Sequence, residues 1–482
     1  TNEKKINVLH ENSAGMYTVD SNATNTANGE ITVTGTAGAT TGSAGMFGKV
    51  SGTTGYKTLN EGIINLNSVT KNVGIYGEVD AGATGVLTLE NDKEININLG
   101  STSSVGIIAE NNSGSSSNLL LKNSANGVIT GNEASSIGIS AGKSEVTNDG
   151  KILMNKDGSV GIYGKNESKV ENSKLIEIAG NKSAGIFLED SNAFNLAGGQ
   201  INVKGGVSTG NATSAGIYGT FTSGAHTIQN KGTITVDNVA GKSGSAGIYG
   251  DLTGGTLNIT NDNVINANMD KSVGIYAKNT QGVNNLTVTN NKTIGLDNTG
   301  TTGIFADKSK VVNNDEINLS NNAASSIGIF GQNGADVQNA ATGSINVTGT
   351  AGNATQSSGI YVSGTGTKGT NLGNINLNGE SSNGMVAAAG ANATNSNKIT
   401  GTVKDIIGMY GTGTGTKVIN SKEITLSGKT STGIFTKNGA EGINNNLIKT
   451  SGTGNTAIGI AVLNNGTFTN NGTVDINLAN ST

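Results

Sequence analysis

A short mark, small–x–Gly–Ile–aromatic–Gly, returns along the whole chain and limits its fold more than any other feature. It reads Ser43-Ala44-Gly45-Met46-Phe47-Gly48, then Asn72-Val73-Gly74-Ile75-Tyr76-Gly77, and later Ser214-Ala215-Gly216-Ile217-Tyr218-Gly219. Its central glycine occurs 17 times between Gly15 and Gly459, about 28 residues apart, at intervals of 23 to 32. A fixed mark with variable spacing is the signature of a repeat array whose insertions fall in loops.

Two further segments follow each mark. One is apolar–x–Asn, as in Val146-Thr147-Asn148 and Ile228-Gln229-Asn230. The other alternates, as in Ile234-Thr235-Val236 and Ile424-Thr425-Leu426. Alternation of apolar and polar residues is strand periodicity, and no helical period persists anywhere. Each repeat therefore holds three short strands, too few to bury a core alone but enough when stacked. The predicted fold is all-β: a single-stranded parallel β-helix, expected to be right-handed, of about 17 coils running through residues 1–482 as one continuous solenoid. At a rise of about 4.8 Å per coil it would form a rod of roughly 80 Å.

Alternation also assigns faces. In the first strand it places Val73 and Ile75 inside, with Gly74 and Tyr76 outside; Ala184 and Ile186, Val273 and Ile275, and Ile458 and Ile460 follow the same rule. An asparagine column that includes Asn148, Asn172, Asn230, Asn261, Asn290 and Asn420 reads as an internal ladder, because an amide both donates and accepts along a stack. An aromatic row that includes Tyr76, Tyr163, Tyr218, Tyr249, Tyr276, Phe305 and Phe330 falls outside, where its rings could cover the neighbouring glycine backbone or form a sticky stripe.

Composition removes other classes. The chain has 75 Gly and no Pro, without the three-residue period of collagen. With no Cys it has no disulfide framework and no zinc–thiolate site, which fits export. Its 30 basic residues are all Lys and its net charge is −4, which argues against nucleic acid. The catalytic strings are weak. Gly206-Val207-Ser208-Thr209-Gly210 lacks a strand-to-helix elbow. Gly364-Thr365-Gly366-Thr367-Lys368-Gly369 opens no helix, and Gly142-Lys143-Ser144 lacks the upstream glycine of a P-loop. His10 and His226 are too far apart to share a site on a rod and read as surface residues. We expect no enzymatic activity, no metal and no cofactor.

The repeated Gly-Ile-Tyr-Gly marks, Lys without Arg, the missing Cys and the Asn, Gly, Thr and Ser turns resemble the large fusobacterial type Va autotransporter adhesins. The resemblance covers residues 13–478. It implies a β-helical passenger at the cell surface, tethered in the native protein to the outer membrane by a C-terminal barrel that this chain lacks. It also implies attachment to host-cell protein receptors, immune receptors among them, to glycans, or to partner bacteria. Thr1 follows no leader and both ends read as internal coils, so we expect a monomeric piece of a longer solenoid. Ligand contacts are expected in the polar loops Ala109–Asn118, Lys204–Thr213, Thr220–Ala225 and Gly349–Gln356. Two other readings remain: a plain shaft that holds a distant tip, and a polysaccharide depolymerase of the phage-tailspike kind.

Overall fold

The structure, a computed structural model, describes residues 1–35, 42–67, 71–100, 103–206, 214–349, 356–453 and 456–479. They fall into two units, Thr1–Ser245 and Ala246–Thr482. Both are parallel β-helices. Apart from two single 3-10 turns, Ser116–Asn118 and Val283–Asn285, the regular structure described is strand.

One coil shows the plan. Val160–Lys165 belongs to a first sheet, Lys169–Asn172 to a second and Leu175–Ile178 to a third. The next coil repeats them as Ala184–Glu189, Asn192–Asn195 and Gln200–Val203. Like pairs with like, in parallel and in register: Ile162 with Ile186, Asn172 with Asn195, Ile176 with Ile201. In the first unit the described strands number eight, eight and nine for the three sheets; in the second there are nine of each. An inner strand such as Ala184–Glu189 is bonded on both edges, which is why proline has no place in it.

The third sheet alternates as the sequence predicts. Ile176 and Ile178 are fully buried, as are Ile31 and Val33, Ile317 and Leu319. Each such side chain contributes about 1.5–3 kcal/mol on burial. The first sheet departs from alternation at the central glycine. Gly161 and Ile162 both face the interior, and the ladder steps over the glycine, pairing Val160 with Ala184 and then Ile162 with Ile186. The cause is steric. A Cβ on Gly161 would lie 2.5 Å from the carbonyl oxygen of Gly185 and 2.8 Å from Ile176 Cγ2. The same carbonyl of the next coil blocks Gly45, Gly138, Gly303 and Gly384.

The predicted faces are thereby corrected. The glycine lies inside, and the residue before it turns outward: Val73 and Val273 are only half-buried, and Ile458 is exposed. Ala184 is buried even so, while Ile75, Ile186 and Ile275 are wholly inside and Ile460 is half-buried. Beyond the kink alternation resumes, so Tyr76 still points out and Gly77 in.

Candidate binding surfaces

The asparagine column runs through the interior of the second sheet. In the first unit Asn148 Nδ2 donates to Asn172 Oδ1 at 2.7 Å, Asn172 to Asn195 at 2.8 Å and Asn195 to Asn230 at 2.7 Å. In the second unit Asn261 donates to Asn290 at 2.7 Å and Asn420 to Asn444 at 2.9 Å. The other amide hydrogen is used at the corner, as in Asn172 Nδ2 to Lys174 O at 3.1 Å. These side chains are fully buried and hydrogen-bonded within the protein, so the column serves the fold and offers nothing to a ligand. It extends to Asn25 and Asn2, which the sequence reading left out: Asn25 Nδ2 donates to Asn60 Oδ1 at 2.7 Å and Asn2 Nδ2 to Asn25 Oδ1 at 2.8 Å.

A second ladder escaped the sequence reading. Ser159 N–H donates to Ser183 Oγ at 3.1 Å and Ser183 N–H to Ser214 Oγ at 3.2 Å; Ser326 N–H donates to Ser357 Oγ at 3.1 Å. Its signal was present, since the small residue that opens the mark is Ser in most copies.

The aromatic row lies outside and its rings stack on one another. Centroids are 4.7 Å apart for Tyr249 and Tyr276, 4.4 Å for Tyr276 and Phe305, and 5.1 Å for Phe305 and Phe330. In the first unit Phe47 stacks on Tyr76 at 5.2 Å and Phe187 on Tyr218 at 5.2 Å. The rings do not shield the central glycine column, which faces the other way. Burial, with Glu110 next, pushes the Tyr76 phenol up to about 12. Burial and a hydrogen bond to Glu189 push Tyr163 up as well. The row is broken where Ile108 and Ser140 replace rings, leaving a depression of about 230 Å³ edged by Glu110, Lys143 and Lys165.

The predicted loops are narrower than their sequence bounds. Ala109 is a buried strand residue, because Val105–Asn111 continues the first sheet; the loop begins after it and includes Asn118, whose amide donates to Ala83 O at 3.2 Å. Lys204 is tied to Glu177 at 2.7 Å, beside Asp237, whose carboxyl is raised by burial. Thr213 and the Val207–Gly210 part of the serine string lie outside the described residues. Thr220 and Ala225 are in strands flanking a short turn. Gly349 is half-buried and Gln356 exposed, on either side of residues that are not described. The G-x-G-x-x-G string at Gly364 is a turn after strand Ser358–Ser363 that runs into strand Lys368–Asn371.

His226 is not at the surface. It is 5 % exposed, packs 5.2 Å from the Phe221 ring, and its Nε2 lies 2.7 Å from Ser223 O. Burial pushes the nearby Asp190 up, but hydrogen bonds from Thr222 and Ser223, with His226 beside it, bring its carboxyl below the ordinary value. His10 is exposed.

The second unit carries a groove of about 700 Å³ on the outer face of its third sheet, lined by Asp297, Asn318, Asn346, Asn376, Asn378 and Thr400 among others. Sequence reading did not find it, since its residues are the polar partners of the buried Ile and Leu and form no motif along the chain. No protein-family model and no curated protein matches this sequence.

Proposed function

We propose that this chain is a binding segment of an extracellular adhesin, displayed at the cell surface and attaching to host cells, through a glycan or a protein receptor, or to other bacteria. The observation that supports this reading most is the outer groove of the second unit. It is a concavity on a sheet, lined mainly by amides and hydroxyls, with one carboxylate, that of Asp297, which suit hydrogen bonding to a polar ligand. The half-buried ring stacks give the first sheet a second face of adhesive character. The regularity of the ladders favours a shaft as the other reading.

The test is binding of the purified, folded protein to host cells and to partner bacteria. Saturable binding is expected. Absence of binding by protein with an intact β-sheet circular-dichroism spectrum would overturn the adhesin reading and leave the shaft.

A further inference from the structure

We infer that the outer groove of the second unit is a subsite for an uncharged polysaccharide chain lying along the stacking direction; this rests on the adhesin reading above. Two files of side chains form its floor. In one, Asn346 Nδ2 donates to Asn318 Oδ1 at 2.7 Å, Asn376 Nδ2 to Asn346 Oδ1 at 2.7 Å, and Thr400 Oγ1 to Asn376 Oδ1 at 3.0 Å. In the other, Thr348 and Asn378 stand side by side on paired strands, both exposed. Asp297 stands in the lining as well, and it already accepts hydrogen bonds from Ser320 and Asn322.

The chemistry selects the ligand. Asn346 and Asn376 each use one amide hydrogen along the file, and both are only half-buried. Ser344 Oγ also donates to Asn346 Oδ1 at 3.0 Å and accepts from Asn376 Nδ2 at 3.4 Å. An amide has two hydrogens and two lone pairs, so a donor remains on Asn346 and an acceptor on Asn376 toward the solvent side. Mixed donors and acceptors suit hydroxyl groups, which also do both. No Lys is in the lining, so an anionic ligand has no counter-charge there. The only apolar side chain in the lining, that of Leu319, is fully buried, so an apolar peptide side chain gains little. The rungs repeat every ~4.8 Å, close to the length of one pyranose unit, so successive sugars meet equivalent amides. The corresponding file in the first unit is interrupted at Leu153 and Glu177, and its Asn65 and Asn96 also donate to the carboxylates of Glu30 and Glu94, at 3.3 Å and 3.5 Å, which crowd it with negative charge.

The test uses the whole chain and short uncharged oligosaccharides as probes: a β-linked glucan tetramer, an α-linked glucan tetramer and a mannan tetramer, with a sulfated oligosaccharide as the charged comparison. Binding is read by saturation-transfer NMR and by weak-affinity chromatography. At least one uncharged probe is expected to bind, and the triple variant Asn346→Ala, Asn376→Ala, Asn378→Ala to bind it at least about tenfold more weakly. The variant Asn65→Ala, Asn96→Ala, on the outer file of the first unit, should leave binding unchanged. No binding of any uncharged probe, stronger binding of the sulfated one, or equal binding by the triple variant would overturn the assignment. Cell attachment measured in parallel separates the two ideas. Attachment that persists in the triple variant sinks the groove alone, whereas no attachment by the unaltered protein sinks the adhesin reading.

Discussion

Asn339 and Asn346 belong to the same coil and carry the same amide, yet the fold uses them differently. Asn339 lies wholly inside; it accepts from Asn313 at 2.8 Å, donates to Asn371 at 2.8 Å and reaches Gly343 O at 3.3 Å. Asn346 lies on the outer face, bonded to Asn318 and Asn376 along its file but open to solvent on one side. Both files follow the same stacking repeat. Burial alone decides which amide is spent on the fold and which remains available. An unpaired amide inside costs about 1–3 kcal/mol, while one outside bonds to water.

The contrast can be broken in order of severity. The interior tolerates least at the central glycine. Gly161→Val should cost about 3 kcal/mol or more, since the carbonyl of Gly185 is backbone and cannot step aside; chemical denaturation would show it as a collapse of the unfolding midpoint. Asn172→Ala should cost about 1–3 kcal/mol by the same measurement, because it strips the partners from Asn148 and Asn195 at once.

The outer rings come next. Tyr276→Ala should lose about 0.5–1.5 kcal/mol beyond its buried area, as it stands between Tyr249 and Phe305. Tyr76 adds a pH dependence. Its folded value, about 12, lies above that of a free phenol, so the neutral form is favoured in the folded state. Its stabilisation is therefore complete below about pH 10 and lost as pH rises toward the folded value. Ultraviolet titration of the phenolate should show Tyr76 ionising late, and Tyr76→Phe should flatten that limb of the stability curve. Asn376→Ala, on the outer file, should change stability by no more than about 0.5 kcal/mol. Thermal unfolding that falls as far as in Asn172→Ala would erase the distinction between the files.

What the sequence made legible followed from chemical identity repeated in columns. The three strands, their parallel pairing and most of the Asn ladder are visible because the Gly-Ile-aromatic mark, the apolar–x–Asn segment and the alternating segment return in the same order in nearly every repeat. The inward turn of Gly74 was not visible, because alternation assumes an unbroken pleat and the kink arises from a carbonyl one coil away. His226 is buried for a comparable reason: Phe221 and the Asp190 turn of the preceding coil enclose it, and neither is near enough in pattern to announce it. The groove was least legible of all. Asn318, Asn346 and Asn376 are each an ordinary outward residue of an Ile-x-Val or Ile-x-Leu strand, and only stacking places them in one file.

The most direct test compares Asn339→Ala with Asn346→Ala in the same protein, reading both unfolding free energy and attachment to cells and uncharged oligosaccharides. Asn339→Ala is expected to lose about 1–3 kcal/mol and, at temperatures where it remains folded, to keep its binding. Asn346→Ala is expected to keep its stability and lose binding. Equal destabilisation by the two, or full binding by Asn346→Ala, would contradict the division between an inner structural file and an outer binding file.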